Sequence, residues 1–122
     1  MAMFVDPNAR VAVTLDGNTI YIRSKMSAGV RAAVQDEMRA RGFKSQEELS
    51  ISGIGSYRLA LMEHNIVAWE GPAFLDEKGR PIPCTRLNIR NLDPTEPLVE
   101  AVAEEIGERN TAPETPKGTD PN

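Results

Sequence analysis

The chain holds one histidine, one cysteine and one tryptophan among its 122 residues, and all three fall in the stretch HNIVAWEGPAFLDEKGRPIPC, as His64, Trp69 and Cys84. His64 is the natural candidate for acid–base work, because an imidazole changes charge near neutral pH. Nucleophilic catalysis also requires a hydroxyl or thiol beside the base and a third group to orient it. Cys84 could supply the thiol, and Glu63 or Asp76 the carboxylate. Against this stands the plainer reading of a half-exposed histidine late in a helix and a free cysteine acting as a small apolar filler. Arg86 is the one basic residue close to Cys84 in sequence, which is little to lower a thiol pKa. A metal site is disfavoured too, since no HxxxH or CxxC spacing occurs. The expectation is no catalytic set, no metal and no cofactor.

Two other stretches invite a binding reading. SGIGS precedes a helical pattern, and backbone amides at such a start can cradle phosphate. It lacks the Lys-Ser/Thr of a P-loop and a hydrophobic strand before it, so an interhelical loop with Ser56 as N-cap is preferred. Trp69 stands just before Gly71-Pro72. It reads first as a core anchor and second as a binding hot spot.

The elements that must position these residues can be read from period and punctuation. Val11 to Leu15 and Thr19 to Ile22 alternate around Asp16-Gly17-Asn18, which predicts a hairpin over 11–22. A lone hairpin is marginal and must lie on something apolar. A helix follows over about 27–41, with Ser27 as cap, Val30, Ala33, Val34 and Met38 as stripe and Gly42 as stop. A helical turn is expected near Gln46 to Leu49. The next helix, about 57–69, is strongly apolar through Leu59, Met62, Ile66 and Trp69, and Gly71-Pro72 ends it.

Asp76 to Gly79 reads as a turn, and Pro81 and Pro83 argue against a central strand there. Thr85 can cap a short helix over 86–91, and Asp93 or Thr95 can cap the last one, over 96–108, with Pro97 in its first turn. Leu98, Val99, Val102 and Ile106 form the apolar stripe of that last helix. The stripe either closes the domain's own core or docks against another chain. Five glutamates, Glu96, Glu100, Glu104, Glu105 and Glu108, face the other way and read as a solvated surface. The predicted organisation is an arm over 1–9, one α+β and mainly helical domain over 10–108, and a proline-rich disordered tail over 109–122.

Composition narrows the function classes. Hydrophobic residues make up 40%, enough for one modest core, but aromatics only 5%, so aliphatic residues must pack it. The net charge of −4, without a basic cluster, disfavours nucleic acid as partner. A single cysteine cannot make an internal disulfide, so an oxidising compartment is not implied. No signal-peptide pattern opens the chain, and no apolar run approaches the ~20 residues that a membrane span needs.

From Asn65 to Asn110 the chain resembles small proteins of long-tailed bacteriophages. A helix ends in Ile66, Val67 and Trp69; an acidic excursion carries Asp76, Gly79, Pro81 and Pro83; a capped short helix leads to Leu92-Asp93-Pro94; and an amphipathic helix closes the unit. The opening LDGNTIYIRSKMS, a hairpin feeding a helix, is similar to the front of such proteins, leaving SQEELSISGIGS and the tail unmatched. The group that fits best is the tail assembly chaperones. The resemblance implies a non-enzymatic role in the host cytoplasm: binding the long tape measure protein, with the tail tube protein as a second partner, and with self-association left open. It also implies that some members are extended by frameshifting near the end of the short form. Partner contacts would fall on Trp69, Leu98, Val99, Val102 and Ile106. A structural component of the virion, a minor tail or head–tail joining protein, is the alternative.

Overall fold

The computed structural model describes residues 3–42 and 54–111. It contains β1 (Arg10–Leu15), β2 (Asn18–Arg23), α1 (Ala28–Ala40), α2 (Ile54–Asn65), β3 (Ile66–Glu70), a 3-10 turn (Pro72–Phe74), α3 (Arg86–Arg90) and α4 (Pro97–Asn110). The fold is α+β, an antiparallel sheet in the order β1-β2-β3 with helices packed against it. Asp16 (φ 53°) and Gly17 (φ 81°) both sit in the left-handed region, which lets a two-residue turn join β1 to β2. Arg10 to Leu15 pair in unbroken register with Arg23 to Asn18. Alternation puts Val11, Val13, Ile20 and Ile22 on the face that meets the helices. Thr14 and Thr19, opposite each other on the other face, share a hydroxyl hydrogen bond of 2.9 Å.

The helix expected over 57–69 ends at Asn65, and Trp69 lies on a strand instead. Ile66 and Val67 are β-branched and lose side-chain freedom in a helix, whereas β2 offers a complete edge of backbone partners. Ile22 pairs with Ile66 and Tyr21 with Ala68, so Val67 is one extra residue, a bulge that turns it outward. Asn65, fully buried, marks the break by donating from Nδ2 to the Leu61 carbonyl at 2.8 Å. The same helix begins at Ile54, which puts Ser56 inside the first turn rather than at the cap.

Ser27 caps α1 by accepting from the Val30 amide at 3.2 Å, and Thr85 caps α3 by accepting from Asn88, also at 3.2 Å. Gly42 follows α1 with φ 99°. Ahead of α4 the expectation fails: the cap position is Glu96, with no side-chain cap. Asp93 instead accepts from the Thr95 amide and hydroxyl, at 2.9 and 2.7 Å, and closes the turn before the helix. Because Pro97 lacks an N–H, one donor at this helix start needs no cap. The helix also runs further than 108, to Asn110, which is buried. The helical turn expected near Gln46 to Leu49 and the tail from Ala112 lie outside the described residues.

The core is nearly all aliphatic. Ile20, Ile22, Met62, Ile66, Phe74, Ile89, Leu98, Val99, Val102 and Ile106 form its main cluster. A second cluster of Met26, Val34, Met38 and Ala60 joins α1 to α2, with the fully buried Ala60 small enough to let the two helices approach closely. Leu98, Val99, Val102 and Ile106, between 0% and 9% exposed, therefore close the domain's own core and are not a presented docking stripe. The physical reason is the sheet: α4 lies on β1 and β2 as well as on α2, and the apolar face of Ile20 and Ile22 has to be covered. Ala33, placed on the α1 stripe by its spacing, is exposed.

Candidate functional site

His64 occupies the last turn of α2, and its neighbours come from three other elements. Its Nε2 stands 3.0 Å from Oε1 of Glu37 on α1, and the Arg86 guanidinium approaches Nε2 at 2.9 Å and Nδ1 at 3.3 Å. A carboxylate only accepts, so the Nε2–Glu37 contact is a hydrogen bond when Nε2 carries the proton; the guanidinium, which only donates, then has Nδ1 as its acceptor. The His64 carbonyl accepts from Arg23 Nε on β2 at 2.8 Å, which satisfies one of the end carbonyls of α2. Next along the helix, Glu63 has a side chain only 2% exposed. Its carboxylate accepts from Arg90 at 2.8 Å and stands 4.0 Å from Arg86. Arg41 donates to Glu37 at 2.7 Å.

These residues form one connected chain, Arg41, Glu37, His64, Arg86, Glu63 and Arg90, in which each carboxylate lies between basic side chains. Glu37 feels two opposed influences. Burial raises its pKa, but the hydrogen bond to His64 and the charges of Arg41, His64 and Arg86 outweigh it, and the net effect holds the carboxyl below its ordinary value of 4.5. The arrangement clamps α1, α2 and α3 together. Both carboxylates are covered by guanidinium groups, so neither is placed to take a proton from a substrate.

Cys84 is half-buried, and burial pushes its thiol pKa above the ordinary 9.0. No hydrogen bond joins it to His64 among the described residues. The Cys84 and His64 pair weighed from sequence is thus not brought together as a nucleophile and base. Asp76 is committed elsewhere, accepting from the amides of Lys78 and Arg80 at 2.8 and 2.9 Å and from Arg80 Nε at 3.2 Å. Those backbone hydrogen bonds, first that of Arg80, hold its pKa below the ordinary value of 3.8. Among the described residues no group of three or more His, Cys, Asp or Glu side chains converges as metal ligands. Gly55 and Ser56 of the SGIGS stretch lie in the first turn of α2, and its other residues lie outside the described part or have no described side chain.

Trp69 is half-buried, stacked on Phe74 with ring centroids 4.8 Å apart, and its indole N–H donates to the Ile82 carbonyl at 2.7 Å. It thereby anchors the 75–82 excursion to the sheet, whose own ends meet in a bridge between Leu75 and Pro81.

A mostly apolar groove of about 280 Å³ lies between α2, α3 and α4. Leu59, Met62, Ile89, Leu92, Val99 and Ala103 make its apolar walls. Arg58 and Arg90 stand on its rim from α2 and α3, and Glu100 from α4. Of the five residues assigned to partner contact from the sequence, Val99 is the one that lines this groove. The spacing of Leu59 to Met62 and of Val99 to Ala103 carries a signal, since residues three or four apart share a helix face. That these faces converge is a tertiary fact. Comparison with known proteins finds no matching family model, no matching curated protein and no matching solved structure.

Proposed function

We propose that this chain is a non-enzymatic assembly chaperone of long-tailed phages, and that it holds an amphipathic helical segment of a tape measure protein in the groove between α2, α3 and α4. The observation that carries the reading is the groove itself. Its walls are aliphatic, its volume of about 280 Å³ suits several side chains, and the exposed Arg58 of α2 and Glu100 of α4 line it with opposite charges, while Arg90 is held by Glu63. A helix with one apolar stripe flanked by an acidic and a basic edge matches that pattern. The phage setting is supported by the residue pattern from Asn65 to Asn110, and the tape measure protein is the partner which that pattern implies.

Titration calorimetry of the whole chain with helical peptides from the tape measure protein of the same phage tests the reading. Ala103→Arg, at a half-buried groove position, is expected to remove binding while leaving the circular dichroism spectrum unchanged. Val102→Asp, at a fully buried position, is expected to unfold the domain and serves as the contrast. Saturable binding that survives Ala103→Arg sinks the groove assignment. Mass spectrometry of mature particles beside infected-cell lysate separates the alternative, since stoichiometric presence in particles makes this a structural component of the virion.

A further inference from the structure

The sheet has one edge without the usual protection. β1 is at the end of the order β1-β2-β3, and no described residue pairs with its outer side. In a two-residue hairpin the residues flanking the turn are a hydrogen-bonded pair, and the pattern then alternates. Leu15, Val13 and Val11 therefore spend their backbone groups on β2. The N–H and C=O groups of Arg10, Ala12 and Thr14 point outward. Natural edges are blunted by bulges, prolines or inward-pointing charges. The opposite edge strand, β3, carries the bulge at Val67. β1 has six regular pairs, no proline and only the terminal Arg10 as a charge.

A second observation concerns the core-side face of β1. Val11 and Val13 pack against the core yet remain half-buried, and Leu15 is 39% exposed, while Ile20 and Ile22 on the adjacent strand are 0% exposed. The apolar layer therefore continues to the edge, where it is only partly covered. Antiparallel pairing of β1 with another β1, centred on Val13, fits both facts. Val13 then opposes Val13 and Val11 opposes Leu15, all in non-hydrogen-bonded pairs, where side chains are closest. Ala12 opposes Thr14, with outward backbone groups meeting outward backbone groups. Arg10, whose guanidinium stacks on its own Tyr21 ring at 5.0 Å, comes opposite the turn residue Asp16, and neither makes an ion pair with a described residue of its own chain.

We propose that two copies of this chain associate through β1, antiparallel about a two-fold axis at Val13, so that their three-stranded sheets join into one of six strands. The self-matching of apolar side chains and of Arg10 with Asp16 points to a second copy rather than to an unrelated strand. The interface is separate from the groove and does not depend on the function proposed for it.

Sedimentation velocity of the full chain over a concentration series is expected to show a reversible step to twice the monomer mass. Ala12→Pro removes an outward N–H without touching the β1–β2 ladder, and should raise the dissociation constant by at least about tenfold. In a Cys84→Ala background, Val13→Cys should form an intermolecular disulfide on mild oxidation, because non-hydrogen-bonded partners place their Cα atoms about 4.5 Å apart, within disulfide reach. Val11→Cys should not, since its opposite number is Leu15. A monomer at all concentrations overturns the proposal, as does a dimer untouched by Ala12→Pro, or equal crosslinking at Val11 and Val13. Should Ala12→Pro fail to fold, the paired cysteine variants decide alone.

Discussion

The side-chain oxygen of Asn110, at the end of α4, accepts the backbone N–H of Met26 at 2.8 Å, joining residues 84 positions apart. Its amide nitrogen donates back to Ile106 at 2.8 Å, and its carbonyl accepts from Arg31 at 2.9 Å. One asparagine thus satisfies the buried amide that links β2 to α1 and locks the last turn of α4 in place. Replacing it by alanine leaves a buried N–H without a partner. The expected loss is about 1–3 kcal/mol of stability, read as a lower urea midpoint at unchanged m-value.

Gly71 has φ 127° and ψ 170°, a combination essentially reserved for glycine. A β-carbon there would lie 2.5 Å from Asn18 Oδ1 and 2.8 Å from the Gly17 carbonyl oxygen. The Asn18 side chain is already engaged, accepting from the Ala73 amide at 2.8 Å. Gly71→Ala is expected to cost at least about 1–3 kcal/mol through backbone strain alone, with the clash added. Thermal unfolding followed by circular dichroism measures it. A variant as stable as the parent would mean that the hairpin turn and the 3-10 turn do not press together in this way.

The acid limb of stability should respond to Glu37. Its folded pKa lies below the unfolded value near 4.5, so its contribution is fully present above that value and is lost as pH falls through the folded pKa. Glu37→Gln should therefore flatten the decline in stability below about pH 4.5, while lowering stability at neutral pH. Urea unfolding at a series of pH values from neutral to strongly acidic reads both effects. An unchanged acid limb in the variant would show that other carboxylates carry it.

Cys84 should be a sluggish thiol. Burial disfavours the thiolate, and only the thiolate attacks disulfide reagents. Reaction with an aromatic disulfide reagent at mildly alkaline pH is expected to be several-fold slower in the folded chain than in urea. Its rate should climb only as pH passes above the ordinary value of 9.0. A folded thiol that reacts faster than the unfolded one would reopen the reactive-cysteine reading.

Much of this protein could be read from local chemistry. Asp16-Gly17 dictates a turn with two positive φ values, Ser27 and Gly42 bracket α1, Thr85 starts α3, and the spacing of Leu98, Val102 and Ile106 draws one face of α4. Each of these rests on residues within a few positions of one another, where backbone sterics and short hydrogen bonds decide. The tertiary structure alone decided the rest. Ile66 to Trp69 is a short apolar run that suits a helix or a strand equally, and what made it a strand is the waiting edge of β2, more than forty residues earlier. The stripe of α4 looks the same whether it meets its own sheet or a partner, and the apolar face of Ile20 and Ile22, which α4 covers, settled the matter. Glu63 found Arg90 twenty-seven residues away, and Glu37 found His64 at the same separation. No local spacing encodes such meetings, because they follow from which helix faces the whole core forces together.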